Sequence, residues 1–147
     1  MNTDPELLEC ADCLCLAARR AARSITRAFD RELRPHHIRG TQFSLLVNLE
    51  LRGPQSIGDL ADILGTDRTT LTRNLGPLLK DGLIERAQSG DKRRHELVAT
   101  PAGRALFKRA LPLWAAAEQE VRDAMGAKLT ADLHGAIDRS MEKLAAL

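Results

Sequence analysis

The chain has 147 residues and a formal net charge of +2, with three cysteines and no tyrosine. That length suffices for one domain with a single sizeable core and is short for two. No apolar run approaches the ~18 residues that span a bilayer, and the opening MNTDPELLEC lacks the basic-then-apolar order of a secretory signal. We therefore expect a cytoplasmic protein whose cysteines are thiols, ligands or redox sensors and form no disulfide framework.

The charges are unevenly distributed along the chain. Seven arginines and only two acids lie between residues 16 and 39, whereas acids outnumber basic residues after residue 115. A basic and an acidic end within one small chain favour an anionic partner for part of it.

The first predicted element is one long amphipathic helix from Leu7 to Leu33, with apolar residues at steps of three and four, ending before Pro35. Between Cys10 and Ala18 the helix is apolar on nearly every side. A helix of that kind is buried from several directions, which a chain this small can hardly achieve alone. The pattern therefore predicts a partner subunit.

Two shorter helices follow. One begins near Thr41, a plausible N-cap, and ends at Gly53. In the next, Ser56 caps the first turn and Asp59 faces the positive end of the helix dipole. Gly65 ends that helix, because a tight turn between helices needs a left-handed residue.

The fourth helix opens at Thr66 and is expected to bend at Pro77, which cannot donate a backbone hydrogen bond. Four leucines are predicted to face inward, at 71, 75, 78 and 79. The outer positions carry threonine and arginine, and we expect Arg68, Thr69, Thr72 and Arg73 to lie opposite the leucines.

The period then changes to that of strands. Leu83-Ile84 and Leu97-Val98 flank the segment QSGDKRR, which predicts a β-hairpin with a long basic tip. Thr100-Pro101 restarts a helix that runs to about Gly126 and bends at Pro112. A last helix is predicted from Thr130, with an apolar stripe formed by Leu133, Ile137, Met141, Leu144 and Leu147.

This order of helix, helix, tight turn, helix and basic hairpin is that of a winged helix-turn-helix, a mainly α fold with a small β-hairpin wing. Its recognition helix lies in the major groove of DNA. Arginine can donate two parallel hydrogen bonds to guanine, and threonine offers a hydroxyl and a methyl group to base edges. Free N–H groups at residues 66–69 would also suit a phosphate, and Lys92, Arg93 and Arg94 at the hairpin tip would reach the backbone or minor groove.

The segment LADILGTDRTTLTRNLGPLLKDGLIER, followed by GDKRRHELVATPAG, resembles the MarR family of bacterial transcriptional regulators. The resemblance implies a homodimer on double-stranded, near-palindromic operator DNA. It implies dimerisation helices at 1–36 and 104–147 around a DNA-binding lobe at 37–103, and a repressor released by a small ligand or by thiol oxidation. Ala99 departs from the leucine that is usual at this position in the family.

The resemblance implies that Arg93 enters the minor groove and is held in position by Asp91. The DNA-binding residues expected are Thr66, Arg68, Thr69, Thr70, Thr72, Arg73, Asp91, Lys92, Arg93 and Arg94.

Two kinds of effector are open. The segment LCLAARRAARSITRAF is similar to the first helix of the family's organic-hydroperoxide-responsive branch, which would make Cys15 a peroxide-reactive thiol, ahead of Cys10 and Cys13. That branch uses tyrosines beside its cysteine, and this chain has none; three apolar fillers in a buried helix are the simpler interpretation. The second effector is a small organic anion paired with the arginines Arg19, Arg20 and Arg23.

Other classes find less support. On one helix Cys15 lies about 200° round from Cys13, so the thiols do not converge, and we expect no metal site and no cofactor. No catalytic constellation is recognisable, which argues against an enzyme. The alternative to a DNA-binding protein is a winged helix that binds another protein. Such a domain would typically carry apolar or acidic residues on the outer face of the helix that corresponds to the recognition helix.

Overall fold

A computed structural model describes residues 4–87 and 96–146 of the chain. They form two compact units: one spans residues 29–114, and the other combines the residues before and after it. The described elements are α1 (Pro5–Ala11), α2 (Leu14–Leu33), a 3₁₀ turn (Arg34–His36), α3 (Gly40–Arg52), β1 (Gln55–Ser56), α4 (Ile57–Leu64), α5 (Arg68–Lys80), β2 (Ile84–Arg86), β3 (Glu96–Ala99), α6 (Pro101–Met125) and α7 (Ala127–Leu144). The fold is thus mainly helical, as predicted. Among these helices, none has both the length and the apolar character needed to cross a bilayer.

The predicted single first helix is wrong, because the chain breaks between α1 and α2. Asp4 caps α1 by accepting the Glu6 N–H at 3.0 Å. Asp12 leaves helical geometry, and its N–H closes the helix on the carbonyls of Leu8 and Glu9. Aspartate is a weak helix former. A periodicity of three and four residues continues across such a break and cannot reveal it.

The core lies in the unit of residues 29–114. Phe43 is almost fully buried and stacks on Phe107 and Trp114, with ring centroids 5.4 and 6.1 Å away. Helix α3 begins at Gly40, slightly before the predicted start, with Arg39 as its cap residue. The Gly40 N–H donates to the Asp30 carboxylate at 2.8 Å. A carboxylate ten residues earlier therefore sets this boundary, which local propensity could not show.

The tight turn between α4 and α5 is confirmed. Ser56 Oγ accepts the Asp59 N–H at 3.1 Å, and the Asp59 carboxylate contacts Ser56 in return, as in a capping box. Gly65 has φ 60° and ψ 38°, the left-handed geometry expected for it. Helix α5 continues through Pro77 to Lys80.

The hairpin is confirmed, but it belongs to a three-stranded antiparallel sheet of order β1-β3-β2. In the β2–β3 pair, Ile84 lies opposite Ala99 and Arg86 opposite Leu97. The two-residue strand β1 pairs with the other edge of β3 and was not predicted. Two residues are too few to show an alternating pattern, so only pairing with β3 defines this strand.

The last two helices form where the sequence predicts them, except that the second begins earlier. Thr100 caps α6 as predicted: its Oγ accepts the Gly103 N–H at 3.1 Å and donates to the Gly82 carbonyl at 2.6 Å. The helix runs through Pro112 to Met125. Gly126, with φ 76°, separates it from α7, which begins at Ala127, earlier than the predicted Thr130.

Candidate nucleic-acid interface

Helix α5 carries the predicted recognition residues, and Asp67 sets its start. The Asp67 carboxylate accepts the N–H of Thr70 at 2.8 Å and its hydroxyl at 2.6 Å. These hydrogen bonds, the side-chain one first, hold the pKa of Asp67 below its usual value. The helix therefore opens at Arg68, and the prediction that it opens at Thr66 is wrong.

The same cap argues against the predicted phosphate site at residues 66–69. The Thr66 N–H already donates to the Ala61 carbonyl at 3.0 Å. An ionised carboxylate at this helix terminus repels a phosphate, and it already accepts the Thr70 N–H of the same first turn.

The faces of α5 separate as an amphipathic helix requires. Leu71, Leu75 and Leu78 are buried in the core. Thr69 and Arg73 lie two residues before and after Leu71, so each projects about 160° away from it at 100° per residue. Both side chains are exposed. These two residues form the centre of the outer face.

The other predicted contacts lie on the flanks of α5. Arg68 and Thr72 are about 60° and 100° round from Leu71, so they are not opposite the leucines. The guanidinium of Arg68 lies over Gly58 on α4, and the Thr72 hydroxyl donates to the Arg68 carbonyl at 2.7 Å. Thr70 is exposed on the other flank.

One predicted core leucine is exposed. Leu79 keeps 42% of its surface accessible, contrary to the inward position expected for it. It borders a shallow groove beside Thr72, Arg86 and Leu97. Its spacing from Leu75 and Leu78 is helical, but the core ends before it reaches that side of α5.

Strands β2 and β3 lead into the hairpin tip. Arg86 ends β2 and Glu96 begins β3. The predicted wing contacts, Asp91, Lys92, Arg93 and Arg94, lie outside the described residues. Ala99, the departure from the family pattern, is buried in the sheet.

The three cysteines are exposed thiols, and the helix break changes their geometry. Cys10 lies in α1, Cys13 in the break and Cys15 in α2. The angles worked out for a single continuous helix therefore do not apply, and the cysteines are not buried fillers within one chain. In the described ranges no three histidine, cysteine or acidic side chains group together as a metal site would require.

The basic face of α2 brings together part of the predicted anion site. Arg20 and Arg23 line one open depression of about 440 Å³ with Ser24 and Arg27. These residues follow the three- and four-residue spacing of one helix face. Arg19 does not line it, so the expected trio is replaced by Arg20, Arg23 and Arg27. Arg27 could have been found from the same spacing.

A second groove was missed by the sequence interpretation. It lies between the start of α3 and the outer face of α5, and Arg73 belongs to it together with His37, Arg39, Gln42, Thr70, Asn74 and Pro77. The residues before and within α3 are more than 25 positions from α5 in sequence. No local pattern connects them.

Comparison with known proteins defines the class. The chain is 35% identical to the M. tuberculosis transcriptional regulator MosR, over 92% of this chain and 97% of that one, with a TM-score of 0.79. A structure of MosR in complex with DNA gives 36% identity, coverage of 90% and 98%, and a TM-score of 0.74. CouR, a transcriptional repressor bound to p-coumaroyl-CoA, is 26% identical over 94% and 96%, with a TM-score of 0.77.

Two further matches agree. The Bacillus subtilis HTH-type transcriptional regulator YwoH is 30% identical over 80 residues, which span 54% of this chain and 58% of that relative. The MarR family model matches residues 38–95. Fold and similarity together define a winged-helix transcriptional regulator and not an enzyme. The chain belongs to the MarR family, as its motifs indicated.

Proposed function

We propose that the protein is a homodimeric, sequence-specific DNA-binding repressor. In this proposal α5 reads the major groove, the β2–β3 hairpin forms the wing, and the terminal helices hold two subunits together. The observation that carries the proposal is the outer face of α5, where Thr69 and Arg73 are exposed while Leu71, Leu75 and Leu78 anchor the helix from beneath.

The chemistry of that face supports DNA as the partner. Arg73 can donate two parallel hydrogen bonds to a guanine, and the Thr69 side chain can contact a base edge or a thymine methyl group. MosR, which covers most of this chain, has been crystallised with DNA. A protein-binding winged helix, the second candidate, would be expected to expose apolar or acidic residues on this helix, and α5 has a cationic centre instead.

The exposed apolar residues of the terminal helices support dimerisation. Neither α1 nor α7 buries any described residue within the chain. Leu14 is 83% exposed, and Ile137, Met141 and Leu144 of α7 are each at least half exposed. Exposed apolar surface on this scale is typical of a protein interface. The residues before 29 and after 114 form one compact unit, and residues 29–114 form another. This division supports separate dimerisation and DNA-binding parts of the chain.

Sedimentation equilibrium tests the dimer. Wild-type protein is expected to sediment as a dimer, and Ile137→Lys to shift it towards monomer because a charge would be buried at the interface. Arg139→Ala on the same helix is the control, and no change is expected from it. A monomeric wild-type protein at micromolar concentration would contradict the proposal.

Selection of bound sequences from random duplex DNA tests the function. Dimer symmetry predicts a near-palindromic site with half-sites about one helical turn, ~34 Å, apart. Arg73→Ala is expected to relax the preference at one position in each half-site. Recovery of unrelated sequences, or of a single asymmetric half-site, would argue against the proposal. Placing the recovered site between a promoter and a reporter then tests repression directly.

For the effector, thiol oxidation at Cys15 is our first candidate. Its thiolate would attack one oxygen of a hydroperoxide; the O–O bond breaks, sulfur becomes a sulfenic acid, and the alkoxide leaves as the alcohol after protonation. Condensation with the thiol of Cys10 or Cys13 would give a disulfide and release water. The exposure of all three thiols supports access of the peroxide.

A mobility shift tests this release. Cumene hydroperoxide is expected to dissociate the wild-type complex, and dithiothreitol to restore it. Cys15→Ser is expected to stay bound. Cys13→Ser and Cys10→Ser then distinguish which thiol resolves the sulfenic acid. Equal responses of wild type and Cys15→Ser would exclude Cys15 as the sensor.

The second effector candidate is a small organic anion at the α2 depression. Arg20, Arg23 and Arg27 supply three cations on one face, a suitable site for a carboxylate. An anionic aromatic compound such as benzoate is expected to weaken DNA binding by wild type but not by Arg23→Ala. Arg19→Ala, on the same helix and outside the depression, should respond as wild type does. If both variants respond alike, the depression is not the effector site.

A further inference from the structure

The groove between the start of α3 and α5 has the properties of an anion site. It has a volume of about 520 Å³, is open to solvent, and has the side chains of His37, Arg39, Gln42 and Arg73 in its lining. Arg73 is at the centre of the α5 outer face. The groove therefore adjoins the surface proposed to enter the major groove.

Gln42 supplies a donor within the groove. It is one of only two polar residues that are buried in the described chain, with 8% of its surface exposed. Its side-chain oxygen accepts the Arg39 N–H at 3.0 Å. That bond fixes the orientation of the amide, and its Nε2 group can donate two hydrogen bonds.

The charges at the groove favour an anion. Arg39 and Arg73 line it, and no carboxylate is among the described residues of its lining. Two capping carboxylates, Asp30 and Asp67, lie outside the lining but bond to the Gly40 N–H and to Thr70, and they keep their negative charge. The attraction for an anion therefore depends on the two arginines within the lining. Within residues 4–87 and 96–146, Arg39 and Arg73 have no acidic partner that would neutralise them.

His37 adds an imidazole to the groove from a left-handed backbone conformation. Its φ of 54° and ψ of 30° make it the one described non-glycine residue with positive φ. Its N–H donates to the Arg34 carbonyl at 2.9 Å, which closes the turn. Histidine, like asparagine and aspartate, enters the left-handed region more often than most residues do. This turn places His37 at the groove.

We propose that this groove binds one backbone phosphate of the DNA, beside the bases contacted by α5. Arg39 and Arg73 would provide the charge, Gln42 Nε2 a donor, and the His37 imidazole a further N–H. The inference rests on the proposed function and extends it, because Arg39, Gln42 and His37 were not among the expected DNA contacts. A phosphate contact of this kind adds affinity that is independent of sequence.

The test is the salt dependence of binding to a selected operator and to an unrelated duplex. Arg39→Gln is expected to lower the slope of log K against log salt concentration by about one unit. It should weaken binding to both duplexes by the same factor. Gln42→Glu should weaken binding further, since a carboxylate oxygen replaces the donor.

Arg52→Gln is the matched control. Arg52 is an exposed cation at the other end of α3, about 20 Å from Arg39 at 1.5 Å per residue. It should leave the slope unchanged. If Arg39→Gln keeps the wild-type slope, or if Arg52→Gln lowers it equally, the groove is not a phosphate site although DNA binding itself stands. If wild type binds neither duplex, the proposed function fails first.

Discussion

The close approach of α6 to the chain before β2 predicts that an ordinarily favourable substitution will be destabilising. Gly103 is buried in the first turn of α6. A Cβ added there would overlap the Leu83 carbonyl oxygen and lie 3.0 Å from its carbon and 3.4 Å from Leu46 Cδ2. The overlapped oxygen accepts the Thr100 N–H at 3.0 Å. Because it is a bonded backbone atom, it cannot rotate aside.

The magnitude follows from two opposing effects. Alanine is favoured over glycine in a helix by up to ~1 kcal/mol. Against this, relieving the overlap requires α6 and Leu83 to separate, which costs ~1–3 kcal/mol as overpacking and ~1 kcal/mol for the strained hydrogen bond to Leu83. Gly103→Ala is therefore expected to lower the free energy of unfolding by about 2 kcal/mol, or the Tm by roughly 4–8 °C.

Urea and thermal unfolding followed by circular dichroism measure this, at one protein concentration because association contributes to stability. Gly135→Ala in α7 is the matched control, since its added Cβ would meet only the flexible Arg139 guanidinium at 3.2 Å. The control is expected to equal or slightly exceed wild type. Equal stability of the Gly103→Ala and Gly135→Ala proteins would refute the steric argument.

Three further predictions concern the core, the α5 cap and the wing. Phe43→Ala should lower the unfolding free energy in urea by about 3–5 kcal/mol, because it removes a buried ring stacked on two others; a loss below about 1 kcal/mol would contradict this packing. Asp67→Ala should be less stable than wild type near neutral pH. The folded pKa of Asp67 is lowered, so the extra stability of wild type is present above the unfolded pKa and is lost as pH falls through the folded pKa. If the urea midpoints of wild type and Asp67→Ala differ by the same amount at about pH 7 and pH 2, the carboxylate is not the source of that stability. Arg93→Ala should weaken operator binding and reduce its salt dependence; identical affinity and slope in salt titrations would rule out a wing contact.

Local chemistry accounts for the elements that could be predicted. Ser56 caps α4, Gly65 takes the left-handed turn, and Thr100 caps α6 because each acts on neighbours within a few residues. The MarR motifs lie in the same part of the chain, so the sequence alone indicates the family. The positions of Thr69 and Arg73 on α5 follow from helical period alone.

What only the tertiary structure decided depends on residues distant in sequence. Strand β1 exists by pairing with β3, about 40 positions later. Asp30 fixes the start of α3, and Gly103 is required by the backbone at Leu83. The groove joins His37 and Arg39 to Arg73 only because α3 and α5 pack on one core. Periodicity records which residues share one face of a helix. It carries no information about which surfaces packing then brings side by side, and that is where the additional anion site arises.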